Sequence, residues 1–373
     1  MIKVLDVFQG IILSLILCNQ SIRAMFHYNF IWFFFASLLI VIILRFMHRK
    51  QSGAYSSNEL VIFGLYFLVC LYALLTAFIG EKGSEGLLLE LIVLGLFLHI
   101  GREASFRVVR SFFGAFFLIT LIQVCFLLVN RDHFYTSGVN YLLISVPIGL
   151  LACLCVAALL WERSKARIVI YLVVYFLAIA SLLTMQSRAV FIFTLMFTFL
   201  LPVVFFKSIK IGFYLLSLIM IVSFLFYESL QELYFQSVIS VRLNDLLDNF
   251  ESEPRWQIYS IYFASFYDFF LTGFGLGGTP MSLYANTSEK YPHNFILEFI
   301  SEFGIIGGVF SFWLIISTVL YATRKLRFNK YETYIFVASC YFILNFMKSF
   351  SIYDSSMLFL FAGLAMNRKL SSV

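Results

Sequence analysis

The chain has 373 residues, of which 62% are hydrophobic and only 12% are charged, and its net charge is +6 at pH 7. Soluble domains are about 45–50% apolar and about 25% charged, so this chain has half the charge that a water-exposed surface needs. The composition excludes a soluble enzyme, a nucleic-acid-binding protein and a secreted disulfide scaffold. It predicts an all-α polytopic membrane protein, in which the 47 Phe and 21 Tyr side chains suit lipid-facing and interfacial positions.

Apolar runs predict the membrane-spanning helices, each of which needs about 20 residues. There are about twelve such runs: 4–19, 29–46, 60–79, 87–100, 111–129, 141–160, 168–184, 190–206, 211–227, 303–322, 331–345 and 355–367. The first, fourth, eleventh and twelfth runs are short. We interpret the first as a retained span rather than a cleaved signal peptide, because no small-residue cleavage pattern follows it.

The basic residues predict how the chain is oriented. Eighteen of the 26 Lys and Arg residues fall in the termini and alternate connections, and eight fall in the remaining connections. By the positive-inside rule, both termini and the more basic connections are cytoplasmic. The chain then divides into spans one to nine (1–227), one large external loop (228–293) and spans ten to twelve (294–373).

The large loop contains eight acidic and three basic residues, and its many aromatic residues argue against disorder. The stretch from Arg255 to Phe270 is predicted to form an amphipathic helix at the outer membrane surface. A glycine-rich turn, 272–278, follows it. Because these glycines follow no predicted strand, a nucleotide-binding phosphate loop is not expected here.

Three external arginines are candidates for binding an anion. Arg188 lies in a polar break between two apolar segments, where a charge that reaches the hydrocarbon costs about 2–3 kcal/mol. Its alternative role is to reach the outer lipid headgroups. Arg255 begins the amphipathic helix, and its alternative role is an ion pair with Glu251 or Glu253. Arg242 lies earlier in the same loop.

His293 and Asn294 follow Pro292 and are predicted at a helix N-terminus, whose free N–H groups attract anions. Asn294, Glu298 and Glu302 are spaced by four residues and share one face of that helix. The two carboxylates would either pair with the external arginines or act in acid–base chemistry, and a structural role is the alternative for His293. No spacing typical of metal ligands occurs in the sequence, so no metal is expected.

Three segments in this order resemble the O-antigen polymerase/ligase superfamily (Wzy and WaaL proteins). The segments are Ser187-Arg188 opening an apolar helix, Arg255 leading a helix toward Leu271-Thr272-Gly273-Phe274-Gly275, and Pro292-His293-Asn294-Phe295-Ile296-Leu297-Glu298 followed by Glu302-Phe303-Gly304-Ile305-Ile306-Gly307. The layout of twelve spans with a large loop between spans nine and ten is also similar. The motifs lie within about 185–308, and the rest of the chain resembles the family only in hydropathy.

The resemblance implies a GT-C-like fold and a metal-independent, cofactor-free, inverting glycosyltransferase of the bacterial inner membrane, with its active face in the periplasm. Such an enzyme takes a glycan from undecaprenyl pyrophosphate. The resemblance also implies that Arg188, Arg255 and His293 are essential, and Glu298 is an alternative to His293 as the base. The expected substrate-binding residues are Asn294, Arg242, Gly273, Gly275 and Glu302.

The similarity of 271–308 to polymerases favours a polymerase, which transfers the growing glycan to another lipid-linked repeat unit, over a ligase, which transfers it to lipid A-core. The expected partners are the lipid-linked donor and acceptor, membrane lipids and a chain-length regulator protein, with no nucleic acid. One alternative is a lipid-linked oligosaccharide flippase, although the chain lacks the internal repeats of many transporters. A structural membrane subunit is another, and it would tolerate Arg188→Ala and His293→Ala.

Overall fold

The computed structural model describes residues 2–48, 55–79, 84–130, 139–185, 187–205, 217, 254–284, 291–325, 329–368 and 370. Within these ranges every regular element is helical and no strand occurs. The α-helices are α1 (Ile2–Leu17), α2 (Asn19–Phe26), α3 (Ile31–His48), α4 (Ser57–Ile79), α5 (Ser84–Glu103), α6 (Phe106–Val129), α7 (Tyr141–Trp161), α8 (Lys165–Thr184), α9 (Arg188–Leu200), α10 (Pro254–Ala264), α11 (Phe266–Phe269), α12 (Thr279–Ser282), α13 (Phe295–Lys325), α14 (Lys330–Phe346) and α15 (Ser356–Met366). A π-helical turn, Leu201–Phe205, continues α9.

The predicted spans coincide with helices wherever the structure describes them. Most of the predicted span 211–227 and about half of the large loop, including Arg242, lie outside the described residues. Among the described helices, five are long and apolar enough to cross a membrane, and α1 with α2, bent by 66°, would make a sixth. This architecture is consistent with an all-helical polytopic membrane protein, and the number of twelve spans stays a prediction.

The predicted amphipathic helix from Arg255 to Phe270 forms two helices instead of one. Ser265 adopts φ −98° and ψ 11°, outside the helical region, and separates α10 from α11. The buried side chains of this segment form a small apolar cluster apart from the main core: Ile258, Tyr262, Phe269, Leu283 and Tyr284. The opposite side exposes Trp256, Phe263 and Tyr267. The segment is therefore amphipathic as predicted, with a break that its composition did not reveal.

The main core surrounds α7, in whose apolar segment 83% of the residues are buried. Small side chains along α7 let other helices approach closely, as is common between membrane helices. A side chain added at Gly149 would collide with the Tyr341 hydroxyl of α14 and contact Thr194 of α9. This close packing fixes α14 and α9 against the same helix.

The helix contacts show which connections lie at the same end of the bundle. Trp161, at the C-terminal end of α7, donates from its indole N–H to Thr333 near the start of α14 at 3.0 Å. Since Gly149 lies beside Tyr341 further along α14, α7 and α14 are antiparallel. The N-terminal end of α7 and the C-terminal end of α14 therefore share one end, which we call the second end.

The hairpin of α8 and α9 also turns at the second end. The Tyr175 hydroxyl of α8 donates to Thr198 of α9 at 3.2 Å, so the two helices pack antiparallel about the connection 185–187. α8 follows α7 after a short connection at the opposite end, which we call the first end. Arg188, which begins α9, consequently lies at the second end with the residues that precede α13.

A buried ionic cluster joins helices at the first end. Arg102 of α5 donates to Glu59 of α4 at 3.2 Å and also contacts Glu103. Arg368, after α15, lies 3.9 Å from Glu59. The Arg102 guanidinium also lies over the Tyr55 ring, 3.8 Å from its centroid. Because Glu59 and Arg102 are both buried, their mutual pairing is what offsets the cost of removing them from water.

α13 contains a break at Gly304, whose φ of 59° and ψ of −146° lie in a region that only glycine adopts readily. A break of this kind frees the carbonyl groups of the preceding turn from their helical partners. The glycine-rich turn supplies the missing donors, because Phe274 N–H donates to Ser301 O at 2.8 Å and Gly275 N–H donates to Glu302 O at 2.9 Å. The glycine-rich turn is therefore attached to α13 at this break.

Candidate active site

One face of α13 holds the connection between α14 and α15, which we call the α14–α15 turn (Met347–Tyr353). The three side chains of this face are those spaced by four residues: Asn294, Glu298 and Glu302. Asn294 Nδ2 donates to the Met347 carbonyl oxygen at 2.8 Å. The structure thus shows the shared face that the spacing predicts and identifies the turn that it binds.

Glu298 is 2% exposed and holds the middle of the α14–α15 turn. One carboxylate oxygen accepts from the Ser351 hydroxyl at 2.6 Å, and the other accepts from Ile352 N–H at 2.9 Å. Both oxygens of Glu298 are therefore used in hydrogen bonds within the chain. Among the described residues, no arginine side chain forms an ion pair with Glu298.

Glu302 connects the same turn to the glycine-rich segment. Its carboxylate is buried and accepts from the Tyr353 hydroxyl and from Gly277 N–H, the latter at 3.2 Å. Thr279 Oγ1 lies 2.9 Å from Ser301 Oγ and adds a second side-chain contact between this segment and α13. One turn of α13 thus joins the α14–α15 turn to the glycine-rich segment.

Arg255 reaches the α14–α15 turn from the beginning of α10. Its Nη2 donates to Ser349 Oγ at 3.3 Å, two residues from the carbonyl that Asn294 binds. Arg255 is half-buried, whereas Ser349 is only 3% exposed. The structure therefore brings Arg255 and the His293–Asn294 segment together on one short turn.

His293 lies directly before the N-terminus of α13. Asn294 caps this helix, because its side-chain oxygen accepts from Ile296 N–H and Leu297 N–H, each at 3.1 Å. His293 itself has a φ of 53°, which is uncommon for a residue other than glycine. Its ring centroid lies 4.3 Å from that of Tyr291. The cap and the left-handed backbone conformation together define the position of the His293 side chain at the N-terminus of α13.

Arg188 lies at the same end of the bundle, on the first residue of α9. α9 packs against α7 and α14, and α14 leads directly into the α14–α15 turn. Arg188 is half-buried, and the adjacent Ser187 is 2% exposed. Among the described residues the Ser187 hydroxyl has no hydrogen-bond partner. The structure thus places Arg188 at the level of the other candidates, on a separate helix.

The predicted glycine residues allow the loop backbone to lie directly against α13. Gly273 and Gly275 have φ values of 74° and 86°. A side chain at Gly273 would collide with the backbone of α13 at Glu302 and Gly304. Glycine is required here because the loop backbone lies directly against the helix backbone.

Every backbone N–H from Gly273 to Gly278 is already used in a hydrogen bond. The acceptors are Phe269 O, Ser301 O, Glu302 O, Thr76 Oγ1, Glu302 Oε2 and Gly275 O. A phosphate-binding loop works by presenting free N–H groups to an anion. This segment therefore attaches to α13 and is not a phosphate-binding loop.

A separate cavity of about 640 Å³ lies on the other side of the α14–α15 turn. Its walls are mostly apolar residues of α1, α3, α5, α7 and α14, and its polar residues include Glu90, Tyr353 and Asp354. Arg188, Arg255 and His293 do not line it. Tyr353 lines this cavity and also donates a hydrogen bond to Glu302 of α13.

The electrostatic environment around Arg255 is set by α10. Burial raises the pKa of the Tyr259 phenol, and the Arg255 charge one helical turn away partly offsets this effect. Any tyrosine is neutral at pH 7, and the raised pKa keeps Tyr259 so, which leaves the Arg255 charge uncompensated from its own helix. Within the described ranges, no group of three or more His, Cys, Asp or Glu side chains could hold a metal ion.

The sequence analysis did not identify the α14–α15 turn as part of the site. Its Ser349, Ser351 and Tyr353 each bind a residue that the sequence did identify. Hydroxyl groups in a short polar connection are common, so no local pattern distinguishes them. The sequence offered one indication of such a turn, which was the polar face of α13. Polar side chains buried in a membrane-spanning bundle need hydrogen-bond partners from another segment.

Residues 173–312 match the family model Wzy_C, described as O-Antigen ligase. The matched range includes all three segments that carry the resemblance. It supports the O-antigen polymerase/ligase superfamily and does not distinguish a polymerase from a ligase. Comparison with curated proteins and with solved structures found no match.

Proposed function

We propose that this chain belongs to the O-antigen polymerase/ligase superfamily, whose family model matches residues 173–312, and that it is an O-antigen polymerase. It would transfer the growing glycan from undecaprenyl pyrophosphate to a hydroxyl of another undecaprenyl-pyrophosphate-linked repeat unit. The observation that supports a catalytic site most directly is the α14–α15 turn, where Arg255 and the His293–Asn294 segment meet. The alternative is a ligase that transfers the same glycan to lipid A-core.

The leaving group of this reaction is a diphosphate, and its negative charge grows as the glycosidic C–O bond breaks. Arginine binds such a group through charge-assisted, often bidentate hydrogen bonds. Arg255 and Arg188 would supply this stabilisation, with Arg242 as a further candidate in the large loop. Fixed positive charges aimed at a developing charge can replace a divalent metal in this role.

The acceptor is a sugar hydroxyl, which must lose its proton as the new glycosidic bond forms. We assign this general-base role to His293, because an imidazole side chain can accept a proton near neutral pH. The alternative base, Glu298, already uses both oxygens to hold the α14–α15 turn. We therefore assign Glu298, Asn294 and Glu302 to positioning the site, and Gly273 and Gly275 to attaching the loop.

The expected location is the bacterial inner membrane, with both termini in the cytoplasm and the second end facing the periplasm. The distribution of Lys and Arg supports this orientation. The candidate residues described by the structure all lie at the second end, so one orientation would expose them all to the periplasm. Substrates carried on a lipid would reach this end from the outer leaflet.

Lipopolysaccharide gels of a gene-deletion strain test this proposal. We expect the deletion to leave core plus a single repeat unit, and the wild-type gene to restore the ladder. Arg188→Ala, Arg255→Ala and His293→Ala should fail to restore it although the proteins accumulate in the membrane. Core without any repeat, with polymer accumulating on the undecaprenyl carrier, would instead establish a ligase. A normal ladder in the deletion strain would contradict both activities.

A further inference from the structure

Within the residues that the structure describes, the α14–α15 turn forms hydrogen bonds with both Arg255 and Asn294. Arg255 precedes it by 94 positions and Asn294 precedes it by 53 positions. Two candidate segments that are distant in sequence therefore depend on the same short turn for their relative position.

The turn is held by contacts on both sides of Ser349. Ser349 N–H donates to Asn345 O at 2.8 Å, which ties the residue to the last turn of α14. Glu298 holds the following residues through Ser351 Oγ and Ile352 N–H. The Ser349 hydroxyl thus has a defined location before Arg255 reaches it.

Ser349 is 3% exposed, so its hydroxyl offers the Arg255 guanidinium a contact that water does not readily replace. A free arginine side chain samples many rotamers and loses that freedom when it binds an anion. A neutral acceptor that fixes one guanidinium nitrogen reduces this loss and leaves the positive charge available. A carboxylate in the same place would have neutralised the charge.

We propose that the α14–α15 turn is part of the donor site and that Ser349 is a positioning residue, which orients Arg255 for the diphosphate of the lipid-linked donor. This inference rests on the proposed function, because it takes the diphosphate as the anion that Arg255 binds. Ser349 does not touch the reacting atoms. Its effect passes through Arg255, and this dependence is what an experiment can measure.

The test measures the dissociation constant of undecaprenyl diphosphate for the purified full chain in lipid nanodiscs, with undecaprenol as the uncharged reference. We expect Ser349→Ala to weaken diphosphate binding about five- to ten-fold, as suits one lost hydrogen bond to a charged group. Ser349→Thr keeps the hydroxyl and should restore binding to within about two-fold. Undecaprenol binding should not change in either variant.

A double-mutant cycle separates positioning from a general structural role. In the Arg255→Ala background, Ser349→Ala should cause no further loss of diphosphate affinity, because its effect requires the guanidinium. The matched control is Ser351→Ala, which removes a hydroxyl of the same turn that contacts Glu298 instead of Arg255. Its effect should persist unchanged in the Arg255→Ala background.

The outcomes distinguish the inference from the proposed function. Wild-type protein that binds undecaprenyl diphosphate no better than undecaprenol would overturn both. A second outcome concerns wild-type protein that prefers the diphosphate and loses this preference in Arg255→Ala. If Ser349→Ala and Arg255→Ala then cause additive losses of diphosphate affinity, the inference about Ser349 is overturned and the proposed function is not. Unchanged affinity in Ser349→Ala would do the same.

Discussion

The Glu298 carboxylate accepts the backbone N–H of Ile352 at 2.9 Å, across 54 positions of sequence. This hydrogen bond fixes the α14–α15 turn against α13, at the end of the bundle where His293 and Arg255 lie. A carboxylate within a membrane-spanning helix, next to a predicted active site, would ordinarily be interpreted as catalytic. Its contacts instead indicate that it determines where the neighbouring segments lie.

Glu298→Gln tests this role. An amide has one acceptor oxygen, which can accept from Ile352 N–H, but its NH2 group can only donate to Ser351 Oγ, so the hydrogen bond with Ser351 has to reverse its direction. We expect the unfolding free energy to fall by about 1–3 kcal/mol, measured by thermal unfolding in detergent. Transfer activity at a temperature where the variant is folded should remain within about ten-fold of wild type, which is far less than the loss expected of a general base. Loss of activity at unchanged stability would assign the base to Glu298.

His293 should affect the rate and not the fold. We expect His293→Asn to lower the transfer rate about 10²–10⁴-fold, the range for loss of a general base. Asparagine is the matched substitution because it tolerates the left-handed backbone observed at this position. Undecaprenyl diphosphate binding and the melting temperature should stay close to wild type. A variant with the wild-type rate would exclude His293 as the base.

Gly304→Ala should destabilise the attachment of the glycine-rich segment to α13. Its φ of 59° and ψ of −146° are strained for alanine, and the added methyl group would collide with the Leu271 carbonyl. We expect a loss of about 1–3 kcal/mol in unfolding free energy. Gly114→Ala is the control, since its methyl group would meet no atom within 4 Å. Equal effects of the two substitutions would contradict a special role for the break.

Arg102→Met tests the first end of the bundle. Removing this guanidinium takes away the buried cation that contacts both Glu59 and Glu103, so we expect a loss of about 3–5 kcal/mol. Arg167→Met is the matched control, because Arg167 is 69% exposed and its solvent-screened pair with Glu162 should contribute little to stability. Similar melting temperatures for the two variants would show that the buried cluster does not stabilise the fold.

The first-end variant also serves as a control for the active site. Arg102 lies at the opposite end of the bundle from Arg255 and His293. Arg102→Met protein that remains folded should therefore bind undecaprenyl diphosphate with wild-type affinity. A selective loss of that affinity would show that the two ends are coupled.

Sequence reasoning located the helices well and the connections poorly. The apolar runs determine the spans because each hydrophobic helix is a local solution to burial in lipid. The cap at Asn294 and the start of α9 at Arg188 are local features too, and the structure shows both where the sequence predicts them. The break at Ser265, by contrast, has no strong local signal, because serine occurs both within helices and at their ends.

By itself, the sequence determined the membrane class, the helical positions and the segments that resemble a family, since these depend on composition and on spacing within a few turns. Only the tertiary structure decided that Glu298 and Glu302 bind the α14–α15 turn, and that Ser349 contacts Arg255. Those contacts join residues 53, 51 and 94 positions apart. Hydrogen bonds over such separations depend on how the helices pack, because packing brings otherwise unremarkable hydroxyl and amide groups within reach of a buried carboxylate.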